Sequence, residues 1–177
     1  MRFIVALFVA FLSFSPLAQA QTDTVKVAII DVNQLQAESK AAVDIRKQVD
    51  VLRKNYLATL EKEEATLREQ EKSLIKNKET MSEEDFNKKA KEFREKLVEK
   101  SHAMQVKQGE LDKAVGEALG KLRDEIIAIT DEVSKEHQYT LVMPRQSVFY
   151  FDKSYNITDE VLKKLDARVK SIKINAK

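Results

Sequence analysis

The side chains that most often carry catalysis or hold metals are scarce or scattered in this sequence. The two histidines, His102 and His137, stand in no ligand motif such as H-E-x-x-H, and cysteine is absent. Serine and carboxylates are plentiful, but no nucleophile elbow and no glycine-rich phosphate loop accompanies them. The three glycines, Gly109, Gly116 and Gly120, lie inside a long helical pattern instead. We therefore expect no enzyme activity, no cofactor and no metal site.

The charged residues argue against a nucleic-acid partner. The chain has 31 Lys and Arg against 29 Asp and Glu, a formal net charge of +2. Between Tyr56 and Glu110 the two signs are interleaved along the sequence. Binding to a phosphate backbone needs a basic excess gathered on one face. A solvated helical surface is the simpler reading of this pattern.

Two long helices must position whatever this chain binds. Residues 39–137 contain no proline, are rich in Lys, Glu, Gln and Ala, and are broken once near residues 80–82. Ser82 followed by Glu83, Glu84 and Asp85 is typical of a helix start. Apolar residues recur every seven residues in the first helix and at spacings of three and four in the second, which is typical of a coiled-coil seam. The seam residues are Leu60, Leu67, Leu74, Phe86, Phe93, Leu97, Met104 and Leu111.

We predict that the chain reverses at the break and forms an antiparallel helical hairpin. The expected neighbours are Leu74 with Phe86, Leu67 with Phe93 and Leu97, and Leu60 with Met104. A long coiled coil that dimerises between chains is the alternative, and the break favours the hairpin. Glu63, Gln70 and Asn77 make the first seam polar at every second position.

Two further sets of residues in the hairpin have open interpretations. The off-seam apolar residues Leu57, Ile75, Val98 and Val106 are either weak contacts for an unfolded chain or isolated surface residues of the ordinary kind. The glycines share a face away from the seam. They form either a hinge that lets the hairpin splay or a small-residue surface where another protomer packs.

The two ends of the chain, residues 21–38 and 138–177, are predicted to form one small body. Strands are expected over residues 25–31, 139–143 and 147–151, with helix caps at Asn33, Ser39 and Thr158. Three strands bury little surface in a single chain and leave open edges. We therefore expect a homo-oligomer that completes the sheet. The residues proposed to build this shared body are Val27, Ile29, Leu141, Val148 and Tyr150. The expected fold class is α+β, mostly α.

The first twenty residues are predicted to be a cleavable secretory signal peptide. Arg2 precedes a twelve-residue apolar run, Pro16 breaks it, and A-Q-A at residues 18–20 precedes cleavage between Ala20 and Gln21. Removing Arg2 leaves 30 basic residues against the 29 acidic ones. We expect an exported, soluble chain, because the apolar run is too short for a bilayer, which needs about 20 residues.

Together these segments resemble the Skp/OmpH family of periplasmic chaperones. The resemblance is carried by VAIIDV at residues 27–32, the long charged hairpin, YTLV at 139–142, SVFY at 147–150 and NITDEVLKKL at 156–165. It implies a jellyfish-shaped homotrimer in which a β body carries three helical tentacles around a cavity. The near-neutral hairpin departs from the strongly basic tentacles of well-known members, so no lipopolysaccharide-binding residues are carried over.

The resemblance also implies a function. Members hold unfolded outer-membrane proteins without ATP in the periplasm and assist their delivery, with transient contacts to the membrane surface or the assembly machinery. The competing class is a structural coiled-coil spacer or adaptor of the cell envelope that binds one folded partner.

Overall fold

The computed structural model of the chain describes residues 25–176, and the predicted signal peptide and its predicted cleavage site lie outside these residues. The fold is α+β and mostly helical, as predicted. Its elements, in chain order, are β1 (Val27–Ile30), α1 (Val32–Glu38), α2 (Lys40–Lys76), α3 (Glu83–His137), β2 (Leu141–Pro144) and α4 (Thr158–Arg168). Short 3₁₀ turns cover Lys78–Thr80, Arg145–Ser147 and Lys153–Tyr155.

A serine caps the N-terminus of each long helix of the hairpin. Ser39 Oγ accepts a hydrogen bond from the Ala42 amide at 3.3 Å, and Ser82 Oγ accepts one from the Asp85 amide at 3.1 Å. These bonds satisfy amides that have no partner within the first helical turn. α3 then runs for 55 residues to His137 and is capped by Gln138, whose φ of 58° is left-handed. At about 1.5 Å per residue, α3 is roughly 80 Å long.

The caps of the two shorter helices differ from those predicted. Asp31, and not Asn33, caps α1, because its Oδ1 accepts from the Gln34 amide at 3.0 Å. Thr158 is the first residue of α4 and not its cap, and its amide donates to Asn156 Oδ1 at 3.0 Å. The Thr158 hydroxyl oxygen instead accepts from the Asp31 amide at 2.8 Å, which ties α4 to the end of β1.

Within the described residues, the sheet has two strands and not three. β1 and β2 pair in parallel, with Val27 opposite Leu141 and Ile30 opposite Pro144. Pro144 ends the edge strand β2, where a missing amide is tolerated. The predicted strand over residues 147–151 is absent, because a 3₁₀ turn precedes it and no strand of the same chain lies beside it. The other side of β1 is covered at Ile29, which bridges to Asn156.

The hydrophobic core sits in the body, at the base of the hairpin. It joins β1, α1, the first turns of α2, the second half of α3 and α4, with Leu35, Ile45, Leu122, Ile129 and Leu165 almost fully enclosed. Between residues 46 and 110, all of which the structure describes, no side chain is buried. The chain therefore consists of a packed body and a long, thinly packed arm. In the described residues, no helix is both long and apolar enough to cross a membrane.

Candidate functional site

Polar side chains join the two helices of the arm. Lys96 Nζ donates to Gln70 Oε1 at 2.8 Å, and Lys100 Nζ donates to Glu63 Oε1 at 3.3 Å. Nearer the body, the Tyr56 hydroxyl donates to the Met104 carbonyl oxygen at 3.3 Å. The partner number on α3 falls as the number on α2 rises, so the two helices are antiparallel. Two of the three polar positions of the first seam, Glu63 and Gln70, are thus matched by lysines of the second helix.

The register of the distal seam differs from the prediction in one place. Leu74 lines a shallow groove together with Met81 and Phe93, whereas we expected it beside Phe86. Phe86 lies close to the turn, where Lys78 Nζ is 5.4 Å from its ring centre. Phe86 therefore lies beside a residue of the turn, and Phe93 is the aromatic residue that shares a groove with Leu74. The expected pair of Leu60 and Met104 does line one common groove.

The predicted seam residues differ in their burial. Leu111 is buried at the base, and six others are half-buried, namely Leu60, Leu67, Leu74, Phe86, Phe93 and Met104. Leu97 is 40% exposed and lies at the edge of the seam, because Lys96 and Lys100 take the inward positions on either side of it. Long lysine stems can cover apolar surface while their charged ends bond across the gap. The result is a seam that holds the helices together weakly.

The four off-seam apolar residues are exposed in the structure. Leu57 is 55% exposed, Ile75 63%, Val98 70% and Val106 47%. Val98 lies in a shallow groove on the outer side of α3 beside Arg94 and His102. Within the two long helices, three more exposed aliphatic residues join these four, namely Val51, Leu119 and Ile127. Their signal in the sequence was the same, an apolar residue outside the seam.

No close contact within the chain explains why α3 has glycine at three positions. A Cβ atom built on Gly109, Gly116 or Gly120 meets no heavy atom within 4 Å. The exposed residues Leu119 and Ile127 lie in the same stretch of the helix. Both interpretations, a hinge and a surface for another protomer, therefore stay proposals.

The residues proposed for a shared body fall into two groups. Ile29 is buried in its own chain and Val27 is half-buried, and neither is among the residues of the core cluster at the base of the hairpin. Leu141 is exposed on the edge strand, and Tyr150 is exposed beside Phe149, whose side chain touches nothing. Val148, which precedes these aromatic residues, has extended backbone angles. An exposed aromatic pair on an extended segment is an apolar surface that a second chain can cover.

Ion pairs hold α4 against the end of α3. Glu132 pairs with Arg168, Glu136 pairs with Lys164, and His137 Nε2 lies 3.0 Å from Glu160 Oε1. The hydrogen bond from Arg168 is the main reason that the pKa of Glu132 lies below its usual value of 4.5.

One His and two carboxylates of this corner approach a metal-ligand arrangement. Ligand atoms of Glu136, His137 and Glu160 lie within 4.8 Å of one another. Lys164 competes with a cation for Glu136, and all three side chains are open to water. The corner is therefore best described as a set of ion pairs that fixes α4 to the end of α3 within the body.

Comparison with known proteins gives a family match and a match to solved structures. The family model described as "Outer membrane protein (OmpH-like)" matches residues 26–165. No curated protein matches the chain in sequence. Among solved structures, a crystal structure at 2.83 Å from Caulobacter crescentus CB15, described as an outer membrane chaperone (OmpH-like), is similar. It superposes with a TM-score of 0.81 at 20% identity, over 86% of this chain and 90% of that one, so the two share a fold.

The family match covers both strands of the body, the whole hairpin and the first eight residues of α4, which are the segments that carried the resemblance in the sequence. This chain belongs to the OmpH-like outer membrane protein family.

Proposed function

We propose that this protein is an ATP-independent holdase chaperone for unfolded outer-membrane β-barrel proteins. The observation that carries the proposal is the arm itself. It extends through residues 46–110 without one buried side chain, yet it exposes isolated apolar residues along its length. An arm of this kind offers an unfolded chain many weak contacts and no deep pocket. The description of the similar Caulobacter protein as an outer membrane chaperone supports the same class of function.

The proposed contacts with the client are Leu57, Ile75, Val98 and Val106. Fully burying one aliphatic side chain is worth about 1.5–3 kcal/mol, and a partly covered one is worth less. Several such contacts add up to useful affinity, and each can be released separately. A client held in this way stays unfolded and leaves without an energy source.

The assembly that we propose is a homotrimer whose three arms enclose a cavity. The exposed Phe149 and Tyr150 and the open edge of β2 support it, because one chain alone leaves them uncovered. Cleavage after Ala20 would release the chain into the periplasm. There it would deliver clients to the outer membrane through transient contacts with the membrane surface or the assembly machinery.

Light scattering tests the proposal most directly. A urea-unfolded outer-membrane β-barrel protein is diluted into buffer with and without the mature chain, in the absence of ATP. We expect the chain to suppress aggregation at a ratio of about one trimer per client. A variant with serine at Leu57, Ile75, Val98 and Val106 should suppress it less while keeping its helical circular dichroism.

The structural spacer or adaptor predicts a different outcome. Such a protein would leave the aggregation of the unfolded client unchanged and would bind a folded envelope protein instead. Unchanged aggregation with a folded, assembled chain would therefore contradict the holdase function.

A further inference from the structure

The residues after α4 run back along the base of the arm. Ser171 Oγ donates to Asp44 Oδ2 at 2.6 Å, so the segment begins beside the first turns of α2. Ala176, at its far end, lines a groove with Leu52 and Leu111. Residues 171–176, which we call the tail, thus lie between α2 and α3 and point away from the body.

The tail is held through its backbone by one side chain. Gln48 Nε2 donates to the Ile172 carbonyl oxygen at 2.9 Å, and Gln48 Oε1 accepts from the Ile174 amide at 3.0 Å. A single amide group therefore satisfies a carbonyl and an amide two residues apart. Such bonds do not depend on the side chains of the held segment, so they would fit another chain in the same conformation.

The side chains of the tail alternate between two environments. Ile172 is buried at 9% exposure, Ile174 and Ala176 are half-buried, and Ser171, Lys173 and Asn175 are exposed. A period of two is the mark of an extended chain with one apolar face. Ile172 and Ile174 belong to or pack against the hydrophobic core.

The groove continues past the end of the described tail. Next to Ala176 is a cavity of about 160 Å³ lined by Leu52, Tyr56 and Leu111. A smaller one of about 70 Å³ follows, lined by Tyr56, Leu60 and Met104. A longer segment with the same alternation would therefore find further apolar surface along the arm.

We propose that the groove that runs from Gln48 to Met104 between α2 and α3 is a binding site for extended, unfolded segments with an apolar residue at every second position. The tail occupies its lower part until such a segment displaces it. Strands of transmembrane β-barrels alternate in this way, apolar toward lipid and polar toward the lumen. The inference rests on the holdase function proposed above and adds the pattern that the client must present.

Displacement has a measurable consequence for affinity. If the tail fills the groove about nine-tenths of the time, it lowers the apparent affinity for a competing segment roughly tenfold. Weakening the tail without altering the groove should recover that factor. Ile174→Ser does this, because it removes a half-buried contact from the tail alone. Lys173→Ser is the matched control, since it changes an exposed position of the same segment.

The first experiment follows the tail directly. The chain has no cysteine, so Lys173→Cys in the full mature protein carries a single spin label. One peptide alternates valine with serine and threonine, and a second has the same composition with its valines clustered. We expect the alternating peptide to narrow the label's spectrum and the clustered peptide to leave it unchanged. A label that stays immobile at saturating alternating peptide would show that the tail is a permanent part of the fold.

The second experiment measures peptide affinity by fluorescence anisotropy. Ile174→Ser should bind the alternating peptide roughly tenfold more tightly than the parent chain, and Lys173→Ser should match the parent. Ile172→Ser, checked for folding by circular dichroism, is a stronger form of the same test. Gln48→Ala should give no gain, because tail and peptide would both lose its amide. Equal affinity of Ile174→Ser and the parent chain would contradict competition between the tail and the peptide. That result would leave the holdase function untouched, because aggregation suppression by the parent chain tests it separately.

Discussion

At the scale of residues, the middle of the arm is held by polar contacts where an apolar seam was expected. From hydrophobicity alone, Leu97 was predicted to lie inside the seam. In the structure, Lys96 and Lys100 instead reach across to Gln70 and Glu63. Sequence patterns treat lysine as a surface residue, although its stem can lie over apolar neighbours while its end finds a partner. The polar residues of the first seam could be identified in the sequence. Their hydrogen-bond partners could not, because those depend on the register of α2 against α3.

The difference between Phe93 and Leu97 gives a testable contrast. Phe93→Ala should lower the local unfolding free energy of the distal arm by roughly 1–2 kcal/mol, below the ~3–5 kcal/mol of a fully buried phenylalanine. Leu97→Ala should lower it by less, because Leu97 is 40% exposed. Hydrogen exchange of residues 65–100 measures both. Equal losses would mean that Leu97 lies within the seam after all.

The pair of Glu132 and Arg168 predicts a dependence on pH. The folded-state pKa of Glu132 lies below its usual 4.5, chiefly through the hydrogen bond from Arg168. The stabilisation is therefore complete above the usual pKa and is lost as the pH falls through the lowered one. Glu132→Gln should make the melting temperature fall less steeply between about pH 5 and pH 3. The effect should be small, since both side chains are over two-fifths exposed.

The matched control for that pH series is Glu99→Gln, at an exposed position of α3. Its melting temperature should follow the parent chain across the same range. If Glu132→Gln also follows the parent, the ion pair at the end of α3 contributes nothing to acid stability.

At the scale of elements, the helices and the strands β1 and β2 could be predicted, whereas the pairing of the strands could not and a third predicted strand is absent from the described residues. Periodicity and the serine caps at Ser39 and Ser82 are local signals, so they located both long helices. Residues 147–151 have the composition of a strand, but a strand also needs a partner, and the chain supplies none there. The tail is too short for a conformation to be assigned to it from the periodicity of its sequence. Its conformation depends on Gln48, which lies more than a hundred residues away in sequence.

The glycines of α3 give a prediction at this scale. Alanine at Gly109, Gly116 or Gly120 should stabilise the helix by up to about 1 kcal/mol each, because the new methyl group meets open space. The assembly should be retained, and the stiffer arms should hold a narrower size range of clients. Hydrogen exchange, sedimentation and aggregation assays measure the three effects. Dissociation by Gly116→Ala or Gly120→Ala alone would show instead that another protomer packs on this face.

At the scale of the whole molecule, we expect three chains to share the body. Phe149 and Tyr150 are the most exposed aromatic residues of the described chain, and covering them favours association. Serine at both positions should dissociate the trimer while each chain keeps its helices. A charge at Ile29 is a poorer test, because that side chain is buried within its own protomer.

Analytical ultracentrifugation decides this prediction. The parent chain should sediment with three times the mass of the mature monomer at micromolar concentration. Tyr155→Ser, which removes a half-exposed aromatic residue from the same body, is the control and should stay trimeric. A stable, folded monomer of the parent chain would contradict the shared body.

The last prediction concerns the forces that hold a client. The charged residues of the arm pair with each other along each helix, as Arg68 does with Glu64, Lys72 with Glu69 and Lys91 with Glu95. Exposed pairs contribute little and are screened within about 8 Å at physiological salt. Client affinity should therefore change less than tenfold between about 20 and about 150 mM salt. Binding should also show a negative heat-capacity change, because apolar surface is buried. Changing Glu64 and Glu69 to lysine should make the arm basic and its affinity strongly salt-dependent, which calibrates the assay. A collapse of the parent's affinity over the same range would show that charge, and not apolar contact, holds the client.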